Sequence, residues 1–186
     1  MKVIIIQGMS CIGKTSLMRK LATRTQDAVL FSLDIYKEKL WGEFGFKNIQ
    51  EKERLTEKAK NEMFNDLQHI LAEGVFEFVF LDYPFKGSKW NELIELLSKH
   101  NVIVKTVLLY TEDFESHKIL WSSRDRHKGH GASSYVDGVS SGSKDTYEKD
   151  VVFTYPVTDN CLEVLVSFNP YKLNVQLDSI LKFLYD

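Results

Sequence analysis

Apolar residues recur along this chain with two distinct periods. In Val3-Ile4-Ile5-Ile6, Ala28-Val29-Leu30-Phe31 and Phe76-Glu77-Phe78-Val79-Phe80-Leu81 nearly every position is apolar. Short runs of this kind, rich in β-branched and aromatic residues, predict strands covered on both faces. Residues 102–110 make a fourth such run, and Leu162, Val164, Val166 and Phe168 alternate as a fifth. Between the runs the apolar spacing changes to three and four: Leu17, Met18, Leu21 and Ala22; then Leu55, Ala59, Met63, Leu67, Ile70 and Leu71 across residues 50–73. Trp90, Leu93, Ile94 and Leu97 form a third set, Phe114, His117, Leu120 and Trp121 a fourth, and Leu173, Leu177, Ile180, Leu181 and Leu184 the last. These are amphipathic helices. Gly74 is placed as a C-cap, Ser88 and Thr111 as N-caps, and Asn169-Pro170 as an N-cap and first-turn pair. Residues 35–44 read as helical at first, broken by Gly42 and Gly45, and residues 145–152 as a short helix.

Strands and helices that alternate over the whole chain call for an α/β three-layer sandwich. The expectation is one domain over residues 1–186, with a five-stranded, mostly parallel sheet and helices on both faces. Residues 127–143 break the pattern, with Gly129, Gly131, Gly138 and Gly142 among serines. A stretch of this length without periodicity inside a compact domain suits a lid, here drawn over residues 124–144.

Directly after the first strand comes Gly8-Met9-Ser10-Cys11-Ile12-Gly13-Lys14-Thr15, which fits the phosphate-loop pattern G-x-x-x-x-G-K-[ST]. Glycines at 8 and 13 allow a tight turn and a close approach of backbone to an anion. The helix that follows adds the positive end of its dipole. Gly8 through Thr15, with Ser16, are therefore the expected contacts of a nucleoside triphosphate, as in a P-loop NTPase. Lys14 would reach the outer phosphates and the Thr15 hydroxyl would bind magnesium.

Ligands in parallel sheets sit beyond the carboxyl ends of the strands. Asp34 follows the second strand and Asp82 the third, and the second strand is expected beside the phosphate loop. Asp82 suits a second magnesium partner that holds Thr15 or a metal-bound water, or else a solvated strand end. Asp34 suits a general base for an acceptor hydroxyl, or an N-cap for residues 35–40. Arg124 and Arg126 border the lid, where phosphoryl transfer needs positive charge, or simply end a helix favourably. His127 and His130 have a spacing that makes only a weak metal signal. Tyr36, Trp41, Phe44, Phe46, Tyr83 and Phe85 would divide between the core and the walls of an acceptor pocket.

Bulk properties narrow the partners. A formal charge of −2 over 186 residues gives no electrostatic reason to expect nucleic acid or an anionic membrane. No apolar run reaches bilayer length, and the chain opens on a strand where a signal peptide would be apolar and helical. The two cysteines, Cys11 and Cys161, have no metal-site spacing and suggest no disulfide framework. The expected setting is the cytoplasm.

Together, the phosphate loop, the acids after strands two and three, and Arg124-Asp125-Arg126-His127-Lys128-Gly129-His130-Gly131-Ala132 resemble the small P-loop kinases. The arrangement is most similar to the chloramphenicol phosphotransferase-like and zeta-toxin-like branch. That resemblance implies an ATP- and magnesium-dependent phosphotransferase acting on a small-molecule hydroxyl. By the same likeness Asp34 is the base, Lys14 and Thr15 bind phosphate and magnesium, and Arg124 and Arg126 are lid cations. The acceptor is not implied, because one scaffold serves many substrates. A nucleoside or nucleotide kinase would need a further phosphate-binding arginine, for which Arg54 is the one candidate between strands two and three. A regulatory nucleotide-binding module is the remaining class, although no guanine-specific N-K-x-D pattern occurs.

Overall fold

The computed structural model describes residues 1–82, 85, 87–123, 154–167 and 170–186. Their strands are β1 (Lys2–Gly8), β2 (Ala28–Ser32), β3 (Phe78–Asp82), β4 (Ile103–Tyr110) and β5 (Cys161–Leu165). They form one sheet in the order β2-β3-β1-β4-β5, and every pairing is parallel. The helices are α1 (Lys14–Ala22), α2 (Leu33–Phe44), α3 (Ile49–Glu73), α4 (Ser88–Ser98), α5 (Phe114–Ser123) and α6 (Pro170–Tyr185).

The pleat of β1 sends alternate residues to opposite layers. Ile4 and Ile6 join Phe78, Phe80, Val107 and Val164 under α1 and α6. Val3 and Ile5 join Val79, Leu81 and Phe31 under α2, α3 and α4. Both faces are thus covered, which is why the strands read as continuous apolar runs. Lys2 and Lys105 fasten α6 to the amino ends of β1 and β4: the Lys2 ammonium donates to the carbonyls of Leu184 and Tyr185, that of Lys105 to Phe183.

Several local expectations shift. The sheet is wholly parallel, and β3 lies between β2 and β1, so the second strand does not neighbour the phosphate loop. Helix α2 begins at Leu33 with Ser32 at the N-cap, which puts Asp34 in the first turn and removes its N-cap role. It also runs through Gly42 and stops only at Gly45, whose φ is +64°. Glycine costs a helix about 1 kcal/mol relative to alanine, and burial of Leu33, Leu40 and Trp41 on the inner face outweighs that. Gly87, not Ser88, precedes α4. Asp113, not Thr111, caps α5, its carboxylate accepting from the Ser116 amide at 3.0 Å. Gly74 ends α3 in the left-handed region, as its position predicts. Tyr83, Asn169, residues 145–152 and the lid with Arg124, Arg126, His127 and His130 lie outside the described residues.

Candidate active site

The carboxyl ends of β1 and β3 meet the start of α1. Gly8 has φ +137°, and a Cβ there would come within 2.5 Å of the Leu109 carbonyl oxygen on β4. Only glycine fits this position. Three residues on, Cys11 adopts φ +65°, which a residue with a Cβ rarely tolerates, and Gly13 closes the loop at φ +99°. Gly13 is also the N-cap of α1, whose first turn carries neither a side-chain cap nor an acid. The positive end of that helix dipole is therefore left to an anion.

Lys14 does not extend into solvent. Its ammonium folds back across the loop and donates to the carbonyls of Gly8 and Met9, both at 2.9 Å. Ile12, buried at the loop's far side, anchors it to the core. Behind Ser10 stands His117 of α5, 1% exposed, with its Nε2 2.8 Å from the Ser10 carbonyl oxygen. A carbonyl only accepts, so that nitrogen carries the proton. Sequence reading placed His117 as one apolar-face position and missed this brace on the loop. Gln7 was missed too. Buried at the end of β1, its amide nitrogen donates to the carbonyls of Phe85 and Pro156, each at 3.3 Å, while its Oε1 has no hydrogen-bond partner among the described residues.

Thr15 donates its hydroxyl to the Asp82 carboxylate. Asp82 is 6% exposed and sits in register with Ile6 of β1 on one side and Ser32 of β2 on the other. A hydroxyl and a carboxylate side by side at a strand end are hard oxygen donors, the type that suits magnesium. The donor set therefore fits the metal expected from the sequence.

On the β2 side the character of the site changes from backbone to side chains. Asp34 is 56% exposed and paired with Lys37 at 2.6 Å. Trp41 is buried one turn further along α2 and packs edge-on against Phe46, ring centroids 6.0 Å apart. Tyr36 donates to Asp66 of α3 at 2.8 Å, and burial, then that hydrogen bond, holds its phenol well above the usual tyrosine range. Of the other aromatics, Phe85 is fully buried and Phe44 largely exposed.

The all-parallel sheet, the covered faces and this loop define the α/β fold of the P-loop NTPases. The chain belongs to the AAA domain family, whose model matches residues 3–131. No curated protein sequence matches it significantly. Among solved structures it is similar to a candidate kinase from Chloroflexus aurantiacus j-10-fl, at 18% identity and TM-score 0.71 over 99% of this chain and 93% of that one. It is also similar to a Deinococcus radiodurans tunicamycin resistance protein, at 13% identity and TM-score 0.55 over 96% and 94%. A Mycobacterium tuberculosis APS kinase, solved in complex with AMPPNP and APS, matches at 13% identity and TM-score 0.54 over 100% and 98%. At these identities the likeness is one of fold. No helix among the described residues is long and apolar enough to cross a membrane.

Proposed function

We propose that this protein is an ATP-dependent phosphotransferase that moves the γ-phosphoryl group to a hydroxyl of a small molecule. The observation that carries the reading is the division of the site. A strained phosphate loop with Lys14 and the Thr15–Asp82 pair lies at one end of the sheet. An exposed carboxylate, Asp34, stands two strands away. A kinase needs both halves, whereas a plain nucleotide binder needs only the first.

In this reading Lys14 leaves the Gly8 and Met9 carbonyls to pair with the outer phosphates. Thr15 and Asp82 would hold the magnesium, which neutralises charge on the phosphate oxygens. Asp34 accepts the proton of the attacking hydroxyl, and Lys37 orients that carboxylate until the acceptor enters. Arg124 and Arg126 belong to the proposal on their sequence position alone, as does the likeness to the chloramphenicol phosphotransferase-like branch. The fold similarity to kinases supports the class without naming the acceptor.

The test has two parts. Magnesium-ATP should raise the unfolding temperature of the wild type, by about 2.7 kcal/mol of added stability at a hundred times its dissociation constant. Lys14→Ala should lose most of that gain. A panel of small hydroxyl compounds should then contain members that stimulate ADP release above the ATP-only rate. Equal stabilisation of both proteins would sink the phosphate-loop assignment. ATP binding with no stimulation by any hydroxyl compound would favour the regulatory module.

A further inference from the structure

Trp41 is flanked by two ammonium groups. Lys37 of α2 lies 5.6 Å from the centre of its ring and Lys52 of α3 lies 5.5 Å from it. Their situations differ. Lys37 is held by Asp34, and its side chain is only 15% exposed. Lys52 is half-buried and has no hydrogen bond or ion pair to its ammonium among the described residues. Burial, and then the nearby charge of Lys37, lowers the Lys52 ammonium below the usual lysine range. Stems packed on an indole would explain one lysine. They do not explain why two like charges converge on the same ring.

Lys52 also lines a cavity of about 310 Å³ between the first turns of α3 and the start of α4, shared with Ile49, Thr56 and Lys89. Because α4 follows β3 after its carboxyl end, this cavity lies at the same end of the sheet as Asp34. The acids nearby do not cancel its charge. Glu57 is bonded to Lys60 at 2.8 Å, and Lys60 reaches on to Glu92 at 3.0 Å. Glu53 alone of the cavity's acids weighs on the Lys52 ammonium, and only as the last and opposing influence.

We propose that Lys52 and Lys37, around Trp41, bind an anionic group of the acceptor, a carboxylate or a phosphate or sulfate ester, while Asp34 addresses its hydroxyl. This deepens the phosphotransferase reading and rests on it. An anion here would give Lys52 the counter-charge it lacks and relieve the repulsion between the lysines. It would also draw Lys37 from Asp34 as the acceptor arrives, freeing the carboxylate to take a proton. Charge-assisted hydrogen bonds to a partly buried site are the strong ones, so the anion would contribute much of the acceptor's affinity. The cations of this site are lysines on two different helices, in place of a single phosphate-binding arginine.

The probes are inorganic sulfate and malonate, titrated at constant ionic strength into protein saturated with magnesium-ADP, so that the phosphate loop is already filled. Trp41 emission is read in a Trp90→Phe, Trp121→Phe background, and unfolding temperature in the otherwise unmodified protein. A saturable response is expected to one of the two anions and not to chloride. Lys52→Gln should weaken it roughly ten- to a hundredfold, while Lys52→Arg retains it and Lys58→Gln, on the far side of α3's first turns, leaves it unchanged. A response to sulfate alone assigns a phosphate- or sulfate-type group, and to malonate alone a carboxylate. A response indifferent to Lys52, equally weakened by Lys58→Gln, or absent for both anions overturns the proposal. Failure of magnesium-ATP to stabilise the protein is a separate result that strikes the phosphotransferase reading instead.

Discussion

The two halves of the site are made from different materials. At the nucleotide half, β1 and α1 are joined by a loop whose chemistry lies in its backbone: Gly8 packed on the Leu109 carbonyl, Cys11 and Gly13 at positive φ, and the open first turn of α1. At the half proposed to take the acceptor, α2 and α3 present side chains, namely Asp34 with Lys37, Lys52 against Trp41, and Tyr36 on Asp66. A backbone site tolerates almost no change at its glycines and needs an apolar anchor at Ile12, while an exposed position such as Ser10 can vary. A side-chain site can exchange its groups one at a time, which is how one scaffold takes different acceptors while its nucleotide chemistry stays fixed. Substitutions should therefore fall into two kinds of failure.

The largest effect is expected from Gly8→Ala. A methyl group there meets a backbone oxygen at 2.5 Å in a conformation that alanine resists. Strain at positive φ and overpacking together should cost about 2–6 kcal/mol, at about 2–4 °C in unfolding temperature per kcal/mol for a chain of this size. Stabilisation by magnesium-ATP should vanish with it. If Gly8→Ala unfolds normally and still responds to magnesium-ATP, the nucleotide half is less dependent on its backbone than the geometry implies.

Asp34→Asn should fail in the other way. The substitution keeps the size of the side chain but cannot accept a proton. Phosphoryl transfer should fall by about two to four orders of magnitude. Stability should change by no more than about 1–2 kcal/mol, from a weakened exposed ion pair with Lys37 and a lost charge in the first turn of α2. Stabilisation by magnesium-ATP should persist. Turnover kinetics of an active acceptor, set beside thermal unfolding, separate these effects, and undiminished transfer would leave Asp34 a surface charge only.

The same contrast explains what could be read from the sequence. A positive φ can be met at low cost only by glycine, so the phosphate loop stamps its geometry on residue types at fixed spacing. Strands covered on both faces stamp theirs as unbroken apolar runs, and Asp82 stands out as the acid that ends one. Lys37 and Lys52, in contrast, look like the solvated faces of amphipathic helices, and nothing local says that α2 and α3 bring them to one indole. His117 and Gln7 are hidden for the opposite reason, since each is a polar residue in an apolar pattern whose partner is a distant carbonyl. Strand order was lost as well. β1, β2 and β3 are equally apolar, so composition does not say that β3 comes between the other two, and Asp34 lies one strand further from the loop than the sequence implies.

The smallest predicted effect tests whether the acceptor half is held by individual side-chain contacts at all. Tyr36→Phe removes the hydrogen bond from α2 to Asp66 of α3 and keeps the ring. The cost should be about 1 kcal/mol near pH 8, with little change in nucleotide binding. Its pH dependence has a definite sign. Burial and Asp66 raise the Tyr36 phenol from 10.0, so the folded protein keeps a proton that the unfolded chain releases. The contribution is therefore complete below about pH 10 and is lost as pH rises beyond it. Lys52 and Lys105 act in the opposite sense: burial lowers both ammonium groups, so the folded state is relieved of their charge as pH climbs toward 10.5. Wild-type stability alone would mix these trends, but the lysines are common to both proteins. The difference between wild type and Tyr36→Phe, measured by denaturant unfolding from pH 8 to pH 11, should hold steady and then shrink above pH 10. A difference that stays flat, or grows, would mean that the α2–α3 contact does not depend on the Tyr36 proton.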